Sequence, residues 1–120
     1  MSVHIAVIIP ARNEAGNIET LVAELRRTPA HTIIVVDNGS TDSTAAEALV
    51  AGAMVVSEPR PGYGHACAAG TRAATDVGAD IVVFIDGDHS CRPDEMMRLV
   101  QPILDGPSRT VNVAPSRNAA

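Results

Sequence analysis

Asp86 and Asp88, separated only by Gly87, directly follow the apolar run Ile81–Ile85. Two carboxylates at that spacing, at the mouth of a strand, suit a hard divalent cation held beside a diphosphate. Gly87 would let backbone approach such a ligand closely. The competing reading is an Asx-type turn that simply closes the strand. A second cluster, Asp37 to Asp42 (DNGSTD), follows four apolar residues. Asp37 can accept a hydrogen bond from a nucleobase imide or a ribose hydroxyl. Gly39 and Ser40 are fully explained by a tight turn and a helix cap, and Asp42 by a favourable position in a helix's first turn.

Two further polar segments could serve a ligand. In Pro10 to Glu14 (PARNE) Arg12 could meet a phosphate, and Asn13 or Glu14 could bind ribose or cap a helix. For this segment alone, capping is the stronger reading. Arg60 to His65 (RPGYGH), with Gly62 and Gly64, leads into a helix N-terminus, a natural anion site and equally a surface turn. His4 and His31 fall at strand starts, away from these segments, and read as structural or solvated. His65 and His89 fall on the same side as the polar loops but carry little weight singly. Cys67 and Cys91 read as small packing residues.

These clusters need elements to bring them together. Four short runs rich in Val and Ile (Val3–Ile9, Thr32–Val36, Ala53–Val56 and Ile81–Ile85) read as buried strands. Ile18, Leu21, Val22 and Leu25 recur at helical spacing, with Arg26 and Arg27 at the negative end. Asp42–Val50 predicts a helix with Ala46, Leu49 and Val50 on its apolar face and Ser40 or Thr41 as N-cap. An Ala-rich helix containing Gly70 is expected over about His65–Asp76. Another starts at Pro93, with Asp94 and Glu95 in its first turn. Strand and helix alternate four times, so a parallel sheet with right-handed crossovers is the expected α/β architecture. All four polar loops then leave the carboxyl edge of one sheet, where open α/β sheets bind ligands. The final stretch, 106–120, reads as a tail or an incomplete fifth strand over Arg109–Val113, with the tail favoured.

Composition narrows the classes further. The 120 residues include one Tyr, one Phe and no Trp, so the core must be aliphatic. All nine basic residues are Arg, which excludes a P-loop lysine and Schiff-base chemistry. A net charge of −5 without a basic stripe argues against a nucleic-acid partner. Cys67 and Cys91 form no C-x-x-C pair, so a reducing, cytosolic setting is expected. No segment approaches the ~20 apolar residues that span a bilayer. Gly62-x-Gly64 followed by Cys67 is not a dinucleotide fingerprint. In a calcium loop starting at Asp86 the bidentate position would fall on Met97. A haloacid-dehalogenase-like phosphatase would need a later Lys, and a sugar-phosphate nucleotidyltransferase a Lys-containing loop after strand one. Neither is present.

Three segments in order, Val7 to Glu14 (VIIPARNE), Val35 to Thr44 (VVDNGSTDST) and Val83 to Asp88 (VFIDGD), resemble the signatures of family 2 glycosyltransferases of the GT-A fold. The Arg60–Gly70 stretch is similar to the Gly-rich segment joining them, and the likeness covers about residues 3–105. Among branches, the polyprenyl-phosphate mannosyl- and glucosyltransferases look most similar. The resemblance implies a Rossmann-like three-layer α/β/α domain with a mostly parallel sheet of order 3-2-1-4. It implies a nucleotide-diphospho-sugar donor bound by Pro10, Arg12, Asn13, Glu14, Asp37, Gly39, Gly64, Asp86, Gly87 and Asp88. Asp86 and Asp88 would hold Mg²⁺ or Mn²⁺, and displacement by an acceptor oxygen would invert the anomeric centre. The implied acceptor is a lipid phosphate at the membrane surface, reached by a cytoplasmic chain peripheral to the inner face. The expected domain division is a donor-binding half over 1–105, truncated before the acceptor half, and a remainder over 106–120. A catalytic base is expected beyond the chain end. The alternative is a non-catalytic nucleotide-sugar-binding or interaction module that pairs through an exposed sheet edge, for instance as a homo-oligomer.

Overall fold

A computed structural model of the chain describes residues 3–85 and the strand Arg109–Asn112. Five strands form one sheet: β1 (Ile5–Ala11), β2 (Thr32–Asp37), β3 (Met54–Ser57), β4 (Ile81–Phe84) and β5 (Arg109–Asn112). Three helices accompany them: α1 (Ile18–Leu25), α2 (Thr44–Ala51) and α3 (Tyr63–Asp76). The sheet order is β3-β2-β1-β4-β5 and every neighbouring pair is parallel. The expected order 3-2-1-4 is therefore present, with β5 added outside β4. Residues 109–112 form a strand rather than the expected tail, because their backbone groups pair with β4 from Ile81 to Phe84. The helix expected from Pro93 lies outside the described residues.

The three layers follow from period-2 alternation along β1. Ile5, Val7, Ile9 and Ala11 face a cluster with Ile18, Leu21, Val22 and Leu25 of α1 and Ala48 of α2. Ala6 and Ile8 face the other way, onto Ala66, Ala69 and Ala74 of α3. Successive side chains of a strand point to opposite faces, so a central strand covered by helices on both sides is apolar throughout. On the α3 face small residues allow a close approach. A Cβ on Gly70 would fall inside contact distance of Ile8 and 3.1 Å from a methyl of Val36.

Helix α2 departs from the expected phase. Its buried residues are Thr44 and Ala48, whereas Ala46 is exposed, Leu49 is 61% exposed and Val50 82% exposed. The reason is a polar anchor. The Thr44 hydroxyl bonds the Asp42 carboxylate and accepts the Glu14 N–H at 2.9 Å, which holds Thr44 inward. Residues one and two turns on, Ala48 and the half-buried Ala51, must then share that face. The helix opens at Thr44 with Ser43, not Ser40 or Thr41, at the N-cap. At its other end Arg26, just past α1, donates from Nη1 to the Ala51 carbonyl at 3.1 Å.

Candidate functional site

Strands β1, β2 and β3 end level with one another, since Ala11 pairs with Asp37 and Asp37 with Ser57. Buried Ile85, whose N–H bonds the Ile8 carbonyl at 3.0 Å, carries the chain off β4 beside β1 at this same carboxyl edge. The polar loops that follow β1, β2 and β3 thus meet at one edge. Between them lies an open cleft of about 150 Å³ lined by Pro10, Ala11, Arg12, Asn38, Tyr63 and Ala66.

The β1 loop is bolted to the β2 loop by a run of side-chain acceptors. The backbone N–H groups of Asn13, Glu14, Ala15 and Gly16 donate in turn to Ser40 Oγ, Thr44 Oγ1, Asp42 Oδ2 and Glu47 Oε1, at 2.9, 2.9, 3.2 and 2.8 Å. Asn13 Oδ1 accepts the Thr41 N–H at 2.8 Å in return. This geometry holds Asn13 at φ +54°, in the left-handed region that Asn tolerates better than most residues. The hydrogen bonds of the Thr44 hydroxyl, then those of the Thr44 and Ala15 N–H groups, hold the Asp42 carboxyl below its ordinary range.

The β3–α3 loop is tied down by Asn38 and Glu58. Asn38 Nδ2 donates to the carbonyls of Glu58 and Arg60, both at 2.8 Å, and its Oδ1 accepts the Gly62 N–H at 3.3 Å. Glu58 is 5% exposed and grips Arg60 through Nη2 at 2.7 Å, Nε at 3.1 Å and the backbone N–H at 3.0 Å. These bonds from Arg60 hold the Glu58 carboxyl at about 2, well below the ordinary carboxylate value. Gly62, at φ +122°, makes the bend from which α3 starts.

The residues singled out from sequence are distributed unevenly around this cleft. Pro10 and Arg12 line it, and Arg12 is exposed with no ion pair among the described residues. Asp37 ends β2 next to the cleft-lining Asn38, and its Oδ1 accepts the Ser40 N–H at 3.0 Å across the turn made by Gly39 at φ +82°. Asn13 is engaged with the β2 loop. The Glu14 carboxylate faces Asn17 Nδ2 at 3.2 Å, while its carbonyl receives the N–H groups of Asn17 and Ile18 that open α1. Gly64 lies in the first turn of α3 with open space where a Cβ would stand. Asp86, Gly87 and Asp88 fall outside the described residues. Among the described residues no group of three or more His, Cys, Asp or Glu could hold a metal ion.

Four residues of this region were not singled out: Asn38, Glu58, Tyr63 and Ala66. The signal for Asn38 is a carboxamide just past a strand end. Glu58 had a weaker one, an acid two residues before Arg60. Tyr63 is the sole tyrosine and heads a helix after Pro-Gly, a position that only the folded cleft distinguishes.

Comparison with known proteins agrees with this architecture. An uncharacterized glycosyltransferase of Mycobacterium tuberculosis is 45% identical over 103 residues, covering 85% of this chain and 44% of that protein. Protein RfbJ of Shigella flexneri is 40% identical, covering 87% of this chain and 82% of its own. The solved glucosyl-3-phosphoglycerate synthase of Mycobacterium tuberculosis, in complex with Mn²⁺, UDP-glucose and phosphoglyceric acid, superposes with TM-score 0.73 at 36% identity. That match covers 88% of this chain and 40% of that one. The chain thus spans less than half the length of the first of these relatives.

The likeness overturns the polyprenyl-phosphate branch and, with it, the lipid-phosphate acceptor: the matching complexes hold a small phosphorylated acid. The reason is that the three motifs behind that reading are those of family 2 as a whole, so they do not distinguish its branches. Among the described residues no helix is long and apolar enough to cross a membrane. The profile of one family, described as glycosyl transferase family 2, matches residues 6–118, and the chain belongs to that family.

Proposed function

We propose that this chain is the donor-binding part of a metal-dependent glycosyltransferase that takes a nucleotide-diphospho-sugar. The observation that carries the reading is the carboxyl-edge cleft, which two of the three family motifs enclose through Pro10, Arg12 and Asn38. The solved relative binds UDP-glucose, and the same donor class is proposed here. Arg12, exposed and without an ion pair among the described residues, is assigned to the diphosphate. Asp37, at the end of β2, is assigned to the base or ribose. Asn13 and Glu14 would serve the donor through the shape of their loop.

Asp86 and Asp88, the paired carboxylates of the third motif, are the residues assigned to Mg²⁺ or Mn²⁺. A divalent ion bound there would stabilise the charge of the departing nucleoside diphosphate. The proposed acceptor is a small phosphorylated acid, in keeping with the phosphoglyceric acid held by the relative. A cytoplasmic setting belongs to this same proposal. Inversion, expected of a single displacement, is read directly from the anomeric coupling constant of the product.

Titration calorimetry with UDP and Mn²⁺ tests the donor assignment. Saturable heat is expected, removed by EDTA and by Asp88→Asn, and weakened about tenfold (about 1.4 kcal/mol) by Arg12→Ala. No metal-dependent heat with UDP or any other nucleoside diphosphate would overturn it.

A further inference from the structure

The Asn38 side chain lines the cleft, yet its hydrogen-bonding groups are engaged by the protein's own backbone. Both Nδ2 hydrogens go to backbone carbonyls, those of Glu58 and Arg60, and Oδ1 takes the Gly62 N–H. Its own backbone N–H donates to the Ala11 carbonyl at 2.9 Å. One residue therefore joins the end of β1, the end of β3 and the start of α3. Tyr63 and Ala66, the α3 residues of the cleft wall, follow Gly62 within one turn.

We propose that Asn38 is a positioning residue of the cleft: its carboxamide sets the distance between the first turn of α3 and the end of β1, and so preforms the space a donor enters. The inference rests on reading this cleft as the donor site. Only a carboxamide fits the task, because two donors and one acceptor are needed in one plane. An aspartate in its place would set a carboxylate against the Glu58 and Arg60 carbonyls, with the same shape and the opposite polarity. Glu58 acts on the same segment from the other side, holding the Arg60 N–H and guanidinium. The two residues therefore operate through one loop, and their effects on the cleft must be coupled.

Tyr63 offers a direct reporter. It is the only tyrosine in a protein without tryptophan, so intrinsic emission reads this wall alone. The experiment measures two quantities on wild type, Asn38→Asp, Asn38→Ala, Glu58→Gln and the Asn38→Ala/Glu58→Gln double variant. One is acrylamide quenching of Tyr63 in the ligand-free protein; the other is the affinity for UDP with Mn²⁺. The expected result is a changed quenching constant of Tyr63, which is 59% exposed in the wild type, in both Asn38 variants, and a loss of UDP affinity of about tenfold in Asn38→Asp. The double variant should lose less than the product of the two single losses. If Asn38→Asp does not fold, Asn38→Ala carries the test, since it deletes the bonds without adding repulsion.

Unchanged Tyr63 quenching in folded Asn38 variants would overturn the proposal, whatever happens to affinity. Loss of UDP binding with unchanged quenching would make Asn38 a direct ligand contact instead. Strictly multiplicative losses would also sink the shared-loop mechanism. Failure of wild type to bind UDP would overturn the donor reading, while the quenching comparison would still decide whether Asn38 positions the wall.

Discussion

Glu58 and Thr44 are the buried polar side chains among the described residues, and both are fully engaged. Buried polar groups persist in folds when their bonds are made, and cost stability when one partner is removed. Glu58 gives this a pH signature. Its carboxyl is held at about 2 against an ordinary 4.5, so the folded state prefers the ionised form. A depressed acid contributes stability that is fully present above its ordinary value and is lost as pH falls toward the folded one. Thermal melts of wild type between pH 5 and pH 2 should therefore fall more steeply than those of Glu58→Gln, with the two curves converging at the acid end. Parallel curves would mean that the Glu58–Arg60 bonds do not form in solution. Asp42, lowered by its bonds to Thr44 and Ala15, adds acid sensitivity of the same sign in the loop that shapes the cleft.

Elements in this molecule are placed by contacts of very different strictness. Helix α3 packs on β1 and β2 through Ala66, Ala69, Gly70 and Ala74. Gly70→Ala would gain about 1 kcal/mol of helix propensity but would press its methyl into Ile8 and Val36, and overpacking costs about 1–3 kcal/mol. Ile8 is fully buried in a strand covered on both faces and has little room to yield. Urea denaturation should show net destabilisation of about 1 kcal/mol. Helix α2 is the opposite case. Its outward Leu49 and Val50 are mostly exposed, so Leu49→Lys and Val50→Lys should each change stability by no more than about 0.5 kcal/mol. Leu21→Ala, at a fully buried position of α1, should cost about 2–5 kcal/mol in the same assay. Parity between the two sets would contradict the observed phase of α2.

For the whole molecule, charge and cleft act at different ranges. The chain carries a net −5, and a nucleoside diphosphate is also anionic, so its long-range field does not attract the proposed donor. Binding of the proposed donor would then rest on short-range contacts, namely those proposed for Arg12, the metal and the cleft walls. Salt screens interactions beyond about 10 Å at 0.1 M and leaves close ones largely intact. Affinity for UDP with Mn²⁺ should accordingly change by less than about threefold between 0.05 and 0.5 M salt. A thousandfold loss over that range would indicate binding through a diffuse cationic surface instead.

The sequence alone determined the layered α/β order and the edge at which the polar loops emerge. Those properties depend on periodicity along each segment, and Ile5 to Ile9 or Ile18 to Leu25 declare their buried faces without reference to the rest of the chain. Tertiary structure decided what no local pattern encodes. The phase of α2 was set by Thr44 meeting Asp42 and the Glu14 N–H, across 30 residues of sequence in the second case. Residues 109–112 became a strand only because β4 offered an unpaired edge. Asn38 and Glu58 acquired their roles because β2 and β3 end at the same height, which brings a turn residue under the loop before α3. Composition and spacing identified which residues could do chemistry; distance in the folded chain decided which of them line the cleft and which hold its walls in place.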